Sequence, residues 1–584
     1  MKKTFIFTLV SVLLLSASCS KFDDMSKNPY ALYEAPAESF VHPIMFKTQY
    51  NLISVFRSST ILLMQYGVST NSEVSSRVID NYNIPEGTTD DIWSGLYPQW
   101  GNAVKMYDTA VKENNPSMQA VALILKSFII THIADTYGDV PFKEAGALIT
   151  NSNAGYYTAY DSQKDIYRSV VVMLEKANDL LANSTVTSFS SICDKTFGGD
   201  LDKWRRFGNS LYARVLMRVA LKVIEEDGGI LDVSDIDEDL GAVAVKSKLA
   251  ELFACFQSKG GDYPQMRSRA DRPLVPFSDQ NEPEHTPFYT TTSGNWNTVA
   301  VSDVLTRAML DYTKKTDSNG QVYYEYKASS DGGHVEDPRY DCWWRKFNGM
   351  PVQLLNDDRV KFLDATEHKS QAGNSKIGRM VFGKDSAGNP SPSAITGKVY
   401  DLQNAPYYSL MNYSELAFIY AEAGARGWIS SISALGGYLG LFKTGITESI
   451  LEWNPYVTAD SDEVVGYVDW CANGEKYSGK TFNSSNAIEA ILTQKWLAQF
   501  FVGIESWCDY RRTGYPLLKT NGPAATNNNI LPTRMRYPSD EQYRNPSSYP
   551  VAVNGWLGGT NNIQTDVWWA NTTVSTNTRL LGRQ

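Results

Sequence analysis

The sequence predicts a mainly α protein: a tetratricopeptide-like scaffold of helical hairpins, interrupted by a large loop-rich insertion carrying short strands. Three observations lead there. Segments in both halves of the chain carry apolar residues at three- and four-residue steps, the signature of amphipathic helices. Between about 225 and 405, Gly, Pro, Ser, Asn and Asp instead punctuate short β-prone runs. Hydrophobic residues make up 42% and charged residues 20% of the 584, which suits a chain that buries a large core.

The first residues are not fold. Lys2 and Lys3, the apolar run Phe5 to Leu15 and the small residues Ser16, Ala17 and Ser18 have the layout of a secretory signal peptide. That run is too short to span a bilayer, and no later stretch approaches ~20 uninterrupted apolar residues. The mature protein is therefore expected to be exported without a transmembrane helix. Helices are expected around 118–135, 411–426 and 486–502, with Asn486 placed to cap the last and Glu489 three residues on. QKDIYRSVVVMLEKANDLL carries one stripe through Ile166, Val170, Met173, Ala177 and Leu180. WRRFGNSLYARVLMRVALKVI repeats it with Trp204, Phe207, Leu211, Val215 and Val219. Helices in pairs point to the hairpin repeat, although Trp204-x-x-Phe207-Gly208 has Tyr212 one place late for that motif. QVYYEY and KIGRMVFG read as small strands, and the last 60 or so residues as loop. These readings give one intertwined domain over 40–584. Its helical scaffold spans about 40–225 and 405–515, and the insertion of about 225–405 forms the ligand-side face.

Several functions are disfavoured. The formal charge is −10 with no block of basic residues, so nucleic acid is not an expected partner. GEKYSGKT, residues 474–481, formally matches a phosphate-cradling loop, but helix signals resume only near Asn486, whereas that loop needs a helix starting at its lysine. The chain contains neither G-x-S-x-G nor H-E-x-x-H. Five histidines, at 42, 132, 285, 334 and 368, form no ligand cluster, and His132 with Asp135 reads as a structural polar pair. Asp235, Asp237 and Asp239 lack the Gly and terminal Glu of a calcium loop. Beyond Cys19, five cysteines are too sparse for a disulfide framework and are expected to be mostly buried thiols. No catalytic residue, metal site or cofactor is expected.

A set of blocks in fixed order then carries a resemblance. KNPYALYEAP, HIADTYGDVPFKEA, GGDLDKWRRFGNSLYARVLMR, NYSELAFIYAEAGARGW, ILTQKWLAQFFVGIESWCDYRRTGYP and LPTRMRYPSDEQYRNPSSYPVAV together resemble the SusD/RagB family of outer-membrane nutrient-binding lipoproteins, in its second SusD-like group. The blocks themselves read as fold determinants. Asp139 and Pro141 sit at a helix exit, and Asp509, Arg511 and Arg512 are placed to form a buried fork-like ion pair. The resemblance implies a protein that performs no chemistry. It would lie as a lid on a TonB-dependent, SusC-like transporter and capture glycans or, in some members, peptides or other nutrients. It also implies that 1–18 is a lipoprotein signal and that Cys19 is the acylated first mature residue. Residues 19–39 would then be a tether on the outer membrane facing the exterior, with Asp23 and Asp24 resembling an acidic export signal. Its sugar sites are aromatic-lined, which directs attention to Arg77, Asn81 and Tyr82 after the first helices. The insertion offers Tyr289, Asn295 and Trp296, then Trp343, Trp344 and Arg345. Adjacent Trp343 and Trp344 in a strand would face opposite sides, one core and one ligand. Trp93, Tyr97 and Trp100 share a helical spacing that favours core. A surface glycoside hydrolase and a ligand-free structural lid are the rival readings.

Overall fold

The computed structural model describes residues 35–70, 79–88, 90–277, 299–327, 336–343, 349–368, 383–384, 390–391, 409–430, 435–454, 457–473, 482 and 486–571. Among these, eleven helices of ten or more residues form the scaffold. In the first half they are α1 (Val41–Val55), α2 (Asp90–Lys112), α3 (Pro116–Tyr137), α4 (Gln163–Ala182), α5 (Leu201–Glu226) and α6 (Val245–Ser258). In the second they are α7 (Tyr413–Ala425), α8 (Gly437–Trp453), α9 (Asp462–Ala472), α10 (Ala487–Ala498) and α11 (Gly503–Thr513). Each expected helix is present, longer or shorter by a few residues at its ends.

Local chemistry sets several of those ends. Pro116 opens α3 with its fixed φ, and Asn115 Oδ1 accepts the Met118 N–H at 3.1 Å. Ser162 caps α4 through the Asp165 N–H, and Asp200 caps α5 through Asp202 and Lys203. The predicted cap at α10 is corrected: the helix starts at Ala487, but Asn486 is itself in helical φ/ψ, so its side chain makes no cap hydrogen bond. Helix α3 is long and apolar enough to cross a membrane, which the sequence reading missed. It is buried along nearly its whole length by α2 and α4, and its apolarity serves the core.

Successive helices pack on one another from α1 to α6, and a second group, α7 to α10, packs around α7 and α8. Helix α5 joins the groups through α7 and α11, and buried ion pairs run across that seam. Arg214 of α5 forks onto Glu415 of α7 at 2.8 and 2.7 Å. Arg218 bridges Asp135 of α3 and Glu505 of α11. Asp135 also accepts from Tyr167 at 2.6 Å and Trp569 at 2.9 Å, and His132 Nε2 lies 3.4 Å from Glu505. The expected fork at α11 is present with a different main partner. Arg512 grips Glu422 of α7 at 2.7 and 2.6 Å and also reaches Asp509, which Lys495 of α10 neutralises from 2.9 Å. Arg511 instead donates to the carbonyls of Asp135 and Thr533. Burial pushes Glu422 and Glu505 upward, but Arg512 and Arg426 on one and Arg214 and Arg218 on the other outweigh it. Both carboxyls are held at about 2.

Strands are few, short and paired two by two: β1 (Gly67–Ser69) with β6 (Val299–Val301), β2 (Val140–Pro141) with β3 (Tyr160–Asp161), β4 (Ile230–Asp232) with β5 (Ala242–Ala244), β7 (Tyr312–Thr316) with β8 (Val322–Tyr326), and β9 (Gly383–Lys384) with β10 (Pro390–Ser391). All pairs are antiparallel. The QVYYEY run supplies β8. Among the described residues, Cys193, Cys255, Cys471 and Cys508 form no disulfide with one another, and all but Cys193 are buried.

Candidate functional site: a loop collar and an aromatic pocket

The sequence-predicted contact residues lie in or beside three segments outside the described residues, 71–78, 278–298 and 344–348, and the described residues that flank those segments meet one another. Strand β1 ends at Ser69, just before segment 71–78; β6 begins at Val299, just after segment 278–298; and Ser69 pairs directly with Val299. The third root joins them, because Met350 N–H donates to Val301 O at 2.9 Å and Met350 O accepts from Asp303 N–H at the same distance. Two glycines permit this approach. A Cβ on Gly67 would stand 2.5 Å from Val299 Cγ1, and one on Gly349 would stand 2.5 Å from Asp303 Cα and Ser302 O. Both positions need a residue without a side chain.

A buried arginine locks the collar. Arg359, in the short helix Asn356–Asp364, donates to Ser69 O and stands 3.4 Å from Asp80, so it holds both ends of segment 71–78. Asp80 is wholly buried. Burial raises its carboxyl to about 6, with Arg359 pulling the other way.

Three of the candidates, Asn81, Tyr82 and Trp343, lie among the described residues, and all three are buried. Tyr82 is buried, donating to Lys519 O at 3.0 Å and accepting from Gln65 Nε2 at 3.1 Å. Asn81 is buried with its backbone carbonyl bound by Thr526 N–H and hydroxyl. Trp343 has no exposed area. It lies in a helical turn, Tyr340–Trp343, not a strand, stacked on Phe500 at 4.4 Å and edge-on to Trp453 at 5.2 Å. A ligand at the surface reaches none of the three. Arg77, Tyr289, Asn295, Trp296, Trp344, Arg345, Cys19 and the GEKYSGKT stretch lie outside the described residues.

The structure adds a site that sequence reasoning assigned to core. A pocket of ≈ 380 Å³ lies between the first half of α2, the turn after β2 and residues 541–545. Trp93, Tyr97 and Trp100 of α2 do share one face, but only Trp100 is fully packed away. The rings of the first two are tilted by 58° with centroids 4.7 Å apart, and all three residues help line the pocket. Tyr97 OH donates to Pro141 O at 2.9 Å and Trp100 Nε1 to Ala145 O at 2.8 Å, so their polar handles are committed to the turn. Opposite stand Glu541, which accepts from Tyr160 OH at 2.8 Å, and Asn545, whose Nδ2 donates to Thr158 O at 2.8 Å. Burial raises the Glu541 carboxyl, partly offset by that tyrosine. Among the described residues, no cluster of His, Cys, Asp and Glu is arranged to hold a metal ion.

Helical hairpins joined by buried ion pairs, with three stretches of backbone meeting at one collar, define the class as an α-scaffold protein. The particular family follows from comparison. The chain matches the second SusD-like family, described as starch-binding and associating with the outer membrane, over residues 29–229 and 348–538, and it belongs to that family. Solved structures agree on the fold. A chitin-binding protein superposes with a TM-score of 0.64 at 20% identity, covering 92% of this chain and 100% of its own. A SusD homologue from Bacteroides uniformis gives 0.62 at 20% identity with the same coverage. A chitin-binding SusD homologue from Flavobacterium johnsoniae gives 0.61 at 19%, covering 91% of this chain and 98% of its own. Curated protein sequences contain no match to the chain.

Proposed function

We propose that this protein is a cell-surface lipoprotein that binds an oligosaccharide or polysaccharide and passes it to a partner TonB-dependent, SusC-like transporter. Family membership carries the reading. The chitin-binding relatives, whose fold this chain shares along nearly its whole length, support the ligand class. Segment 71–78 carries Arg77, segment 278–298 carries Tyr289, Asn295 and Trp296, and segment 344–348 carries Trp344 and Arg345. All three are rooted at the one collar, which favours these six residues as the contact set. Aromatic rings would cover the apolar C–H faces of a sugar while Asn and Arg satisfy its hydroxyls; each buried hydroxyl left unpaired would cost about 1–3 kcal/mol. Acylation of Cys19 would hold the protein at the outer membrane, each buried CH₂ contributing about 0.8 kcal/mol.

Calorimetry of the mature chain against a panel of oligosaccharides tests the binding role, with Trp296→Ala expected to weaken the best ligand by about 1–2 kcal/mol, roughly tenfold. Binding of a peptide mixture with silence across the sugars would replace the ligand class. Product release abolished by one carboxylate substitution would make the protein a hydrolase. Co-purification from membranes tests the transporter, and mass spectrometry of the mature N-terminus tests Cys19.

A further inference from the structure

We infer that the pocket between α2 and residues 541–545 is a second saccharide site, separate from the loop collar and shaped for the end or a short stretch of a chain. It shares no lining residue with the collar, so the inference goes beyond the function proposed above.

Its chemistry is one-sided. The rings of Trp93 and Tyr97 offer carbon surface, because the tyrosine hydroxyl is already committed to the β2 turn. Tyr156, 84% exposed, adds a ring at the mouth that the fold leaves in water. The polar edge consists mainly of acceptors. Asn545 is 94% buried, yet its Oδ1 accepts no hydrogen bond although its Nδ2 is satisfied. Glu541 and Glu144 supply carboxylate oxygens. Arg544 is the one cationic side chain lining the pocket, and it is already paired with Asp540 at 3.0 Å.

A ligand for this pocket must bring an apolar face for the rings and a rim of hydrogen-bond donors for the acceptors. A pyranose has both, with C–H bonds on its faces and hydroxyls around its edge. An acyl chain or a plain aromatic would cover the rings but bring no donor for the unpaired Asn545 Oδ1. An anionic ligand would meet two carboxylates. A volume of ≈ 380 Å³ lies near the lower end of the roughly 300–1,000 Å³ of small-ligand sites and admits one or two sugar rings. Two sugar sites on one chain would hold a polymer at two points, which raises avidity without any new contact at the collar.

The test is hydroxyl-radical footprinting of the full mature chain with tetrasaccharides of glucose, N-acetylglucosamine, mannose and xylose, each in turn. Tyr156 is the reporter, and Tyr312, exposed on β7, is the reference. At least one tetrasaccharide is expected to slow Tyr156 oxidation several-fold and leave Tyr312 unchanged, both in the native protein and in Trp296→Ala. Tyr156→Ala, a change at an exposed position that should not disturb folding, is expected to weaken this binding about fivefold, or roughly 1 kcal/mol, by calorimetry. If Trp296→Ala abolishes the Tyr156 protection along with sugar binding, the collar function stands and the second site falls. No protection by any of the four sugars, or protection by a peptide mixture instead, overturns it as well.

Discussion

Replacing Arg359 by Met should destabilise the protein far more at pH 8 than at pH 5. The guanidinium is fully buried, holds Ser69 O and faces the buried Asp80. Asp80 has a folded pKa of about 6, raised above its unfolded value. A raised carboxyl contributes its stability below the unfolded value, near 4, and loses it as pH climbs through 6. Arg359 limits that loss by attracting the charged form. Without it, Asp80 has to stay protonated well above pH 6. At pH 8 this costs up to two pKa units, the span from about 6 to 8, or about 3 kcal/mol at about 1.4 kcal/mol per unit. At pH 5 Asp80 is already mostly neutral, and only the lost Ser69 contact and packing remain. Adding Asp80→Asn should remove the pH-dependent part and restore much of the loss at pH 8. Scanning calorimetry of the native chain, Arg359→Met and Arg359→Met/Asp80→Asn at both pH values measures the cycle. Equal penalties at the two pH values, or a double variant no better than the single one, would refute the electrostatic account of the collar.

Gly349→Ala should cost about 1–3 kcal/mol, because its Cβ would press against the backbone of Ser302 and Asp303. Thermal melts would check this, and a neutral result would mean that the collar yields easily. Arg512→Ala should cost about 3 kcal/mol, read from denaturant unfolding, because it removes the two-pronged grip on buried Glu422 and leaves only Arg426 beside Glu422 and Lys495 beside Asp509. The depressed carboxyls of Glu422 and Glu505, both at about 2, supply stability above pH 4.5 that disappears as pH falls toward 2. Asp139 and Glu452 are raised by burial to about 6 and about 7, and with Asp80 they withdraw stability as pH rises from 4 to 7. The melting temperature should therefore peak near pH 5, and a steady rise to pH 8 would contradict this balance.

The helices were legible because their stripes repeat within a few residues, and Ile166 to Leu180 needs no knowledge of anything outside α4. The fork at Arg512 was half legible. Its charge pattern signals a buried pair, but its main partner, Glu422, is 90 residues away. Trp343 was also half legible: one of the adjacent pair was expected in the core, but no local pattern connects it to the Phe500 and Trp453 that cover its ring. The pocket was hidden because α2 spacing shows that Trp93 and Tyr97 share a face with Trp100, but not that the chain returns at 541–545 to leave a gap over two of them. The one available signal was the density of rings and polar residues in YPSDEQYRN, which becomes a site only when opposed to α2. Arg359 offered no signal, since Ser69 and Asp80 lie more than 270 residues before it.

The collar has a consequence for how such proteins diversify. Its contacts are backbone pairs and glycines at 67–69, 299–301 and 349–350, with Arg359 beneath, and none of them depends on the side chains of the segments it anchors. The frame's own contacts are therefore specified independently of what residues 71–78, 278–298 and 344–348 spell, and grafting those segments from a relative is expected to leave the contacts beneath in place.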